Sequence, residues 1–492
     1  VRCQRLCHNL QQSVLLKAVL FDTYDPEQFY DEYFSAPGRP RPDMESIVQW
    51  LQQLSAGDLV QANARAEEVL AQLGATFTFD GEPRVLPFDV IPRVISATEW
   101  QRLSAGLKQR VAALNLFCAD VYGKQQIIND GKIPRAVVES AERFLPDCIG
   151  MQPRNGVWCH VSGIDLICDR NGTWHVLEDN LRVPSGIAYV IKNREALTRV
   201  LPPPQSIGIE PIAHYPQQLR STLLNLASDS STAPNIAVLT PGPIESAYFE
   251  HAFLAEQMGV ALVEPQDLVI ADDSLHRRTP TGLQRIEILY RRRNADFFEP
   301  LDFGTRHASG LAAIIELCQQ GRLIVANAFG TGVADDKVIY AYVPEMIRYY
   351  LGEDPLLPNV PTYLCWREQD RQYVLEHLDQ LVIKPAGGEG GKGLLIGPHA
   401  SSAGREEFAQ LIKAQPRAYI AQPTIYLSRI PTAVNRTLEG RHVDLRPYVL
   451  HRGEDIYVHP GGLTRVALKK GSLVVNSTQG GGSKDTWVLS NS

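Results

Sequence analysis

One stretch, Leu381–Gly397 (LVIKPAGGEGGKGLLIG), restricts the fold more than any other. An apolar run (Leu381, Val382, Ile383) leads into Lys384 and Pro385. Five glycines (Gly387, Gly388, Gly390, Gly391, Gly393) with Glu389 and Lys392 follow, and Leu394–Ile396 is a second apolar run. The pattern predicts strand, flexible loop, strand. Glycines let backbone N–H groups approach an anion closely, so such a loop can cradle phosphate oxygens. Gly388-x-Gly390-x-x-Gly393 matches the dinucleotide fingerprint in letters only, because that fingerprint must open a helix and a strand follows here. A Walker A loop fails as well, since Ala386 and Gly393 stand where Gly and Ser/Thr are needed. What remains is a Gly-rich hairpin lid over nucleotide phosphates, with Lys384 beside it as a fixed positive charge. An ordinary Gly-rich surface turn is the alternative.

A second hairpin, Ser162–Asn180 (SGIDLICDRNGTWHVLEDN), turns around Asn171-Gly172, a strong signal for a two-residue type I′ turn. With that loop Asp165 lies opposite Glu178, and Asn180 points to the same face. Two carboxylates across a ladder repel. A hard cation between them, with the Asn180 amide oxygen as a third ligand, makes sense of the arrangement, and Mg²⁺ is commonly bound together with substrate phosphates. The competing reading is a solvated face of unrelated polar residues.

The chain of 492 residues is long enough for two or three domains. Hydrophobic content of 44% and charged content of 21% are those of an ordinary globular protein. A net charge of −7 leaves no footprint for nucleic acid or an anionic membrane. No apolar run is long enough for a membrane span, and Val14–Phe21 lacks a cleavage site, so no export signal is expected. Residues 1–20 read as an ill-ordered leader. The eight cysteines are scattered without a C-x-x-C pair and fit free thiols in a reducing cytoplasm; Cys3, Cys7 and His8 would need distant help to hold a metal.

Along the chain, Glu45–Leu54 and Leu59–Leu73 have helical periodicity, and Asp80-Gly81 centres a small hairpin. Ser96-x-x-Glu99 is a capping box ahead of Trp100, Leu103, Leu107, Val111 and Leu114, which repeat at helical spacing as core positions. After Pro202–Pro204 the pattern becomes β-α-β (Asn235–Thr240, Ile244–Met258, Val260–Val263), the mark of a parallel sheet. Ile286–Tyr290 ends in Arg291-Arg292-Arg293, an anion-binding cluster or a solvated run. Asp302-Phe303-Gly304 resembles a kinase metal motif, but there is no H-R-D and the match is read as chance. Tyr419–Pro423, Val443–Leu450, Ile456–Val458 and Leu473–Asn476 read as β-rich segments, and the tail Gln479–Lys484 as a flexible loop or end, with substrate contact as the alternative.

Taken together, these segments resemble the circularly permuted ATP-grasp family related to glutathionylspermidine synthase. The likeness is carried by the IKPAGGEGGKG loop, the D-x12-E-x-N set, ANAFGTGVADDK (326–337), RHVDLRPYVL (441–450) and the PGGLTRVA…NSTQGGGSKD ending, and it spans most of 24–489. It implies an α/β (α+β) fold in four parts. These are a helical N-terminal region (1–150), a metal-binding hairpin half (151–205), a pre-ATP-grasp-like parallel α/β domain (206–330) and a nucleotide-binding half with the Gly-rich lid (331–492).

The resemblance further implies ATP with one or two Mg²⁺ ions held by Asp165, Glu178 and Asn180. Lys337 and Lys384 would contact phosphates together with Gly387, Gly388, Gly390, Gly391 and Lys392, and Ala421-Gln422 would line the adenine pocket. The family's arginine two residues ahead of the aspartate is Gly163 here, so Arg182, Arg446 or Arg465 would have to replace it. The implied reaction is carboxylate–amine ligation through an acyl phosphate, with Arg446 or Arg465 steadying the oxyanion. The catalytic cysteine of the relatives' amidase domain has no counterpart, which removes the ground for glutathione and spermidine as the specific substrates. A small-molecule kinase and a non-catalytic nucleotide-binding regulator are the rival readings.

Overall fold

The computed structural model describes residues 20–79, 82–227, 233–298, 301, 303, 309–388, 393–476 and 480–490. The expected leader up to residue 19, the Cys3/Cys7/His8 group, the Asp80-Gly81 turn, Asp302, Gly304 and the lid tip from Glu389 to Lys392 therefore lie outside the described residues, while Leu20 is buried.

The elements that position the site are, in chain order, strand β1 (Phe88–Ile95), helix α1 (Ala97–Val121), the hairpin β2 (Val161–Cys168) and β3 (Trp174–Asn180), and helix α2 (Ile187–Val200). Then come β4 (Ile236–Leu239), α3 (Tyr248–Met258), β5 (Ala261–Val263), β6 (Ile288–Arg291), α4 (Gly310–Gln319) and β7 (Ile324–Ala326). After these follow α5 (Lys337–Tyr340), α6 (Val343–Leu351), β8 (Tyr363–Leu364), β9 (Leu381–Pro385), β10 (Leu395–Ile396) and β11 (Tyr419–Pro423). The chain ends on β12 (Arg429–Val434), β13 (Thr437–Arg446), β14 (Tyr448–His451), β15 (Ile456–Val458), β16 (Leu463–Val466) and β17 (Gly482–Val488).

Three sheets matter. The large one has nine strands in the order β15-β14-β2-β13-β16-β17-β1, with β12 beside β13 and β3 beside β2. It mixes strands from both ends of the chain, and β1 runs parallel to β17 at its edge. Pro447, which has no N–H to donate, separates β13 from β14, so the single strand expected over Val443–Leu450 is two, both pairing with β2. A parallel sheet of four strands runs β7-β6-β4-β5. The small sheet, again of four strands, runs β8-β11-β9-β10.

Burial follows the sequence periodicity. Trp100, Leu103, Leu107, Val111 and Leu114 are all buried on one side of α1. The Ser96 hydroxyl accepts from the Glu99 N–H at its start, which satisfies one of the helix's orphan donors. Pro344, in the first turn of α6, has no N–H with which to continue α5, so the two stay separate helices.

Two expectations need correction. Leu473–Asn476 is not a strand: all four consecutive residues line one cleft, which a pleated strand with alternating faces cannot do. The tail is not loose either. Gln479 lies outside the described residues, but Gly482–Lys484 begin β17, every residue of which is buried. Lys484 is held by Asp89 and by the Ile91 and Pro431 carbonyls at 3.1 Å each. Glycine composition suggested mobility, whereas strand pairing on both sides fixes the segment.

Candidate active site

The β2–β3 hairpin reaches the expected pairing by a different route. Asn171 is not left-handed; Gly172 alone has positive φ (79°), and Gly172 N–H bonds back to the Asp169 carbonyl at 3.0 Å. The loop is therefore longer than a two-residue I′ turn, and the ladder closes at Cys168–Trp174. A bulge at Leu177 then inserts one residue and restores Asp165 opposite Glu178 and Gly163 opposite Asn180. It also lets two successive residues, Leu177 and Glu178, face the same cleft. Asp179 points the other way, where Arg110 clamps both its oxygens at 2.6 and 2.7 Å.

The lid strands pair as expected, with Val382 opposite Ile396 and Ile383 opposite Leu395. The strand before the lid lies between β10 and β11, and its Lys384 ends in a cleft between the small and large sheets. This cleft holds about 1110 Å³ of empty space and brings together Asp165, Glu178, Lys337, Lys384, Gly388, Gln422 and Arg465. One end is apolar, walled by Ile167, Leu177, Val360, Val382 and Leu427, with Gln422 donating to the Thr362 hydroxyl at 3.1 Å. The other end is charged.

At the charged end, Asp165 is 1% exposed. Arg446 donates to its two oxygens at 2.5 and 2.8 Å, and Arg465 adds a bond of 2.7 Å. Arg465 also bonds Asp444, so that buried carboxylate joins the network. Burial alone would raise the Asp165 carboxyl, but the two guanidinium groups hold it well below the usual carboxylate range. Glu178 lies 3.6 Å from the Lys337 ammonium and 3.9 Å from Arg446. The repulsion expected between Asp165 and Glu178 is thus offset by side-chain cations. Lys384 is partly buried: desolvation lowers its ammonium to about 8 against the pull of Glu178, with Lys337 pushing the same way.

Gly163 acquires a reason here. A Cβ at this position would sit 2.8 Å from Pro184 Cβ and 3.3 Å from Arg446 Cδ. The Arg446 side chain passes over the glycine to reach Asp165. Arg182 is committed elsewhere, with Nε on Asp335 at 2.6 Å and Nη1 on Asn294 at 2.7 Å. The base of the lid is fastened to α5: Lys337 N–H bonds the Ala386 carbonyl at 2.9 Å and its ammonium donates to the Gly388 carbonyl at 2.5 Å. Gly387 abuts Glu142, whose Oε2 would lie 2.2 Å from a Cβ there. Gly390, Gly391 and Lys392 lie outside the described residues.

The donor set also fits a divalent cation. Two carboxylates and an amide oxygen are hard ligands; Asn180 faces the adjoining cleft, and its buried Nδ2 has no acceptor among the described residues. Asp165 would share its oxygens with the arginines.

The adjoining cleft encloses about 1810 Å³ of empty space and shares Glu178, Lys337, Gly388, Arg465 and Asn476 with the first. Of the arginine run, Arg291 binds the Asn327 carbonyl at 2.8 Å, Arg292 the buried Glu250 at 2.8 Å and Arg293 the Glu245 carboxylate at 2.9 Å. Sequence reasoning missed Asp444, Glu245 and Glu142. Asp444 sits two positions before Arg446 on the same strand, a period-two spacing that was legible; Glu245 and Glu142 carried no such signal.

Comparisons with known proteins complete the description. The family model described as circularly permuted ATP-grasp type 2 matches residues 92–467. An uncharacterized protein of Synechocystis sp. is 57% identical, covering 96% of this chain and 99% of that one. An uncharacterized protein of Mycobacterium tuberculosis is 45% identical, covering 96% and 86%. A protein of Frankia alni named "Putative glutamate--cysteine ligase 2-3" is 43% identical over 96% of this chain, which spans 55% of that longer protein. A solved structure titled as a glutathione synthetase-like effector of Globodera pallida, in apo form, shares the fold with a TM-score of 0.57 at 10% identity, covering 88% of this chain and 98% of that one.

Proposed function

The chain belongs to the circularly permuted ATP-grasp type 2 family, and from that premise we propose an ATP-dependent ligase that joins a carboxylate to an amine through an acyl phosphate. The observation that carries this reading is one cleft between two sheets, apolar at one end and lined at the other by Lys384, Lys337, Arg465, Asp165 and Glu178. A purine suits the apolar end beside Gln422, and a triphosphate suits the cationic end. The name of the Frankia relative points to amide ligation as well.

In this scheme Lys384, Lys337 and the lid backbone hold the phosphates in line, so catalysis is positioning and electrostatics. Glu178, Asn180 and Asp165 would hold Mg²⁺, which when bound would supply positive charge to neutralise the phosphates. Arg446 takes the place of the arginine displaced by Gly163 and, with Arg465, faces charge developing on the transferred phosphoryl group and on the later tetrahedral oxyanion. A substrate carboxylate oxygen attacks the γ-phosphorus and ADP leaves. The amine nitrogen then attacks the acyl carbon, loses a proton, and inorganic phosphate departs. The adjoining cleft, which shares a wall with the first, would hold the acid and the amine.

Product analysis tests the reading. Equal yields of ADP, free phosphate and an amide identified by mass support it. A stable phosphorylated acceptor would indicate a kinase, and bound ATP without ADP release over a broad acid and amine panel would indicate a non-catalytic binder.

A further inference from the structure

The parallel sheet presents its ligand crevice to the second cleft. From β4 the chain crosses through α3 to β5 on one side; from β6 it crosses through α4 to β7 on the other. The neighbouring strands β4 and β6 therefore flank the point where the winding reverses. At such a point the loops leaving the carboxyl ends of the two strands diverge and open a crevice that favours ligands. Those loops supply Glu245, Ser246 and Ala247 after β4, and Arg292, Arg293 and Asn294 after β6, to the cleft wall.

Across this crevice the two loops put one acid and one base. Arg293 Nη1 donates to Glu245 Oε2 at 2.9 Å, while the other Glu245 oxygen accepts from the Ser246 N–H and hydroxyl at 3.1 and 3.0 Å. The Arg293 side chain is 43% exposed and that of Glu245 21%, so the pair is open to exchange with a charged ligand at small cost. Buried donors on residues lining this cleft have no acceptor among the described residues: Nε of Arg293, Nε of Arg292 and Nδ2 of Asn180. Such donors call for an oxygen-rich anionic ligand. Glu245 adds a place for a cation beside it.

We propose that Arg293 and Glu245 recognise a zwitterionic α-amino-carboxylate head, so that one substrate is an amino acid or the free end of a short peptide. The head's carboxylate takes the guanidinium and its ammonium takes Glu245, each replacing half of the existing ion pair. This deepens the ligase reading and rests on it for what happens at the reacting end. The head site itself binds without nucleotide.

Calorimetric titration of the full chain with the free L-amino acids, without ATP, tests the head site directly. The expected result is binding of at least one amino acid, abolished in its N-acetyl and methyl-ester derivatives. Arg293→Ala should weaken that binding about tenfold or more and raise the substrate's KM with the KM for ATP unchanged. Glu245→Gln should narrow the gap between the free and the N-acetylated compound. Equal binding of free and blocked compounds, binding of none, or an unaltered affinity in Arg293→Ala overturns the proposal. A separate titration with a non-hydrolysable ATP analogue and Mg²⁺ keeps the two readings apart, since failure there removes the ligase and not the head site.

Discussion

Lys384 carries a single charge at the end of a lid strand, and burial brings its ammonium to about 8. Only the protonated form attracts a phosphate, so kcat/KM for ATP should fall as pH rises through about 8 in the free enzyme. Bound triphosphate favours the charged form and should shift the same limb upward in kcat. Lys384→Arg keeps its charge over the whole range and should flatten the limb; a pH–rate profile from 6 to about 10 decides, and an unchanged limb removes Lys384 from the phosphate site. Gly163 offers a complementary test. In Gly163→Ala the new methyl meets Pro184 and the Arg446 side chain, an overpacking cost of about 1–3 kcal/mol. Since the glycine φ is not positive, the backbone itself tolerates alanine. Displacement of Arg446 should lower turnover about tenfold or more with a modest loss of melting temperature, and full activity in the variant would detach Arg446 from the reaction.

At the scale of elements, the hairpin and the tail show what a sequence does and does not reveal. Asp165 faces Glu178 as spacing suggested, yet the turn type was misjudged, and the Leu177 bulge compensated for it. Bulges depend on cross-strand twist, which single-strand patterns do not record. The pairing of the two strands around the glycines was readable because apolar runs on either side of a short Gly-rich stretch fit a hairpin. The tail was not, because three glycines suggest mobility, while one of the two strands that order β17 lies almost four hundred residues earlier, in β1. Lys484 makes the point energetically. It is fully buried against Asp89, so Lys484→Met leaves a carboxylate in the core. A destabilisation of roughly 3–5 kcal/mol is expected, seen as a lower midpoint in denaturant. The double change Asp89→Asn with Lys484→Met should lose less than the single one; equal or greater loss would show that the pair is not the source of the effect.

For the molecule as a whole, the cleft is assembled from pieces far apart in the chain. Asp165 and Glu178 come from the first half, Lys384 and Gln422 from the second, and the large sheet itself joins β1 and β2 to β13, β16 and β17. A ligand that touches both sheets therefore binds only the folded arrangement. Its effect on stability is RT ln(1 + [L]/Kd), about 2.7 kcal/mol at a hundredfold excess over Kd. A non-hydrolysable ATP analogue with Mg²⁺ should raise the melting temperature in proportion to the logarithm of its concentration. Glu178→Gln should keep the unliganded melting temperature, because Glu178 is partly exposed and its cationic neighbours stand 3.6 and 3.9 Å away, but its shift should be smaller and less dependent on Mg²⁺. Lys384→Ala should lose most of the shift at every Mg²⁺ concentration. If the wild-type chain shows no shift with the analogue, the meeting of the two sheets is structural alone and the nucleotide leaves the scheme. If Glu178→Gln keeps the full Mg²⁺ dependence, the cation is held by other oxygens, and the hairpin's carboxylates serve to position Arg446 and Lys337.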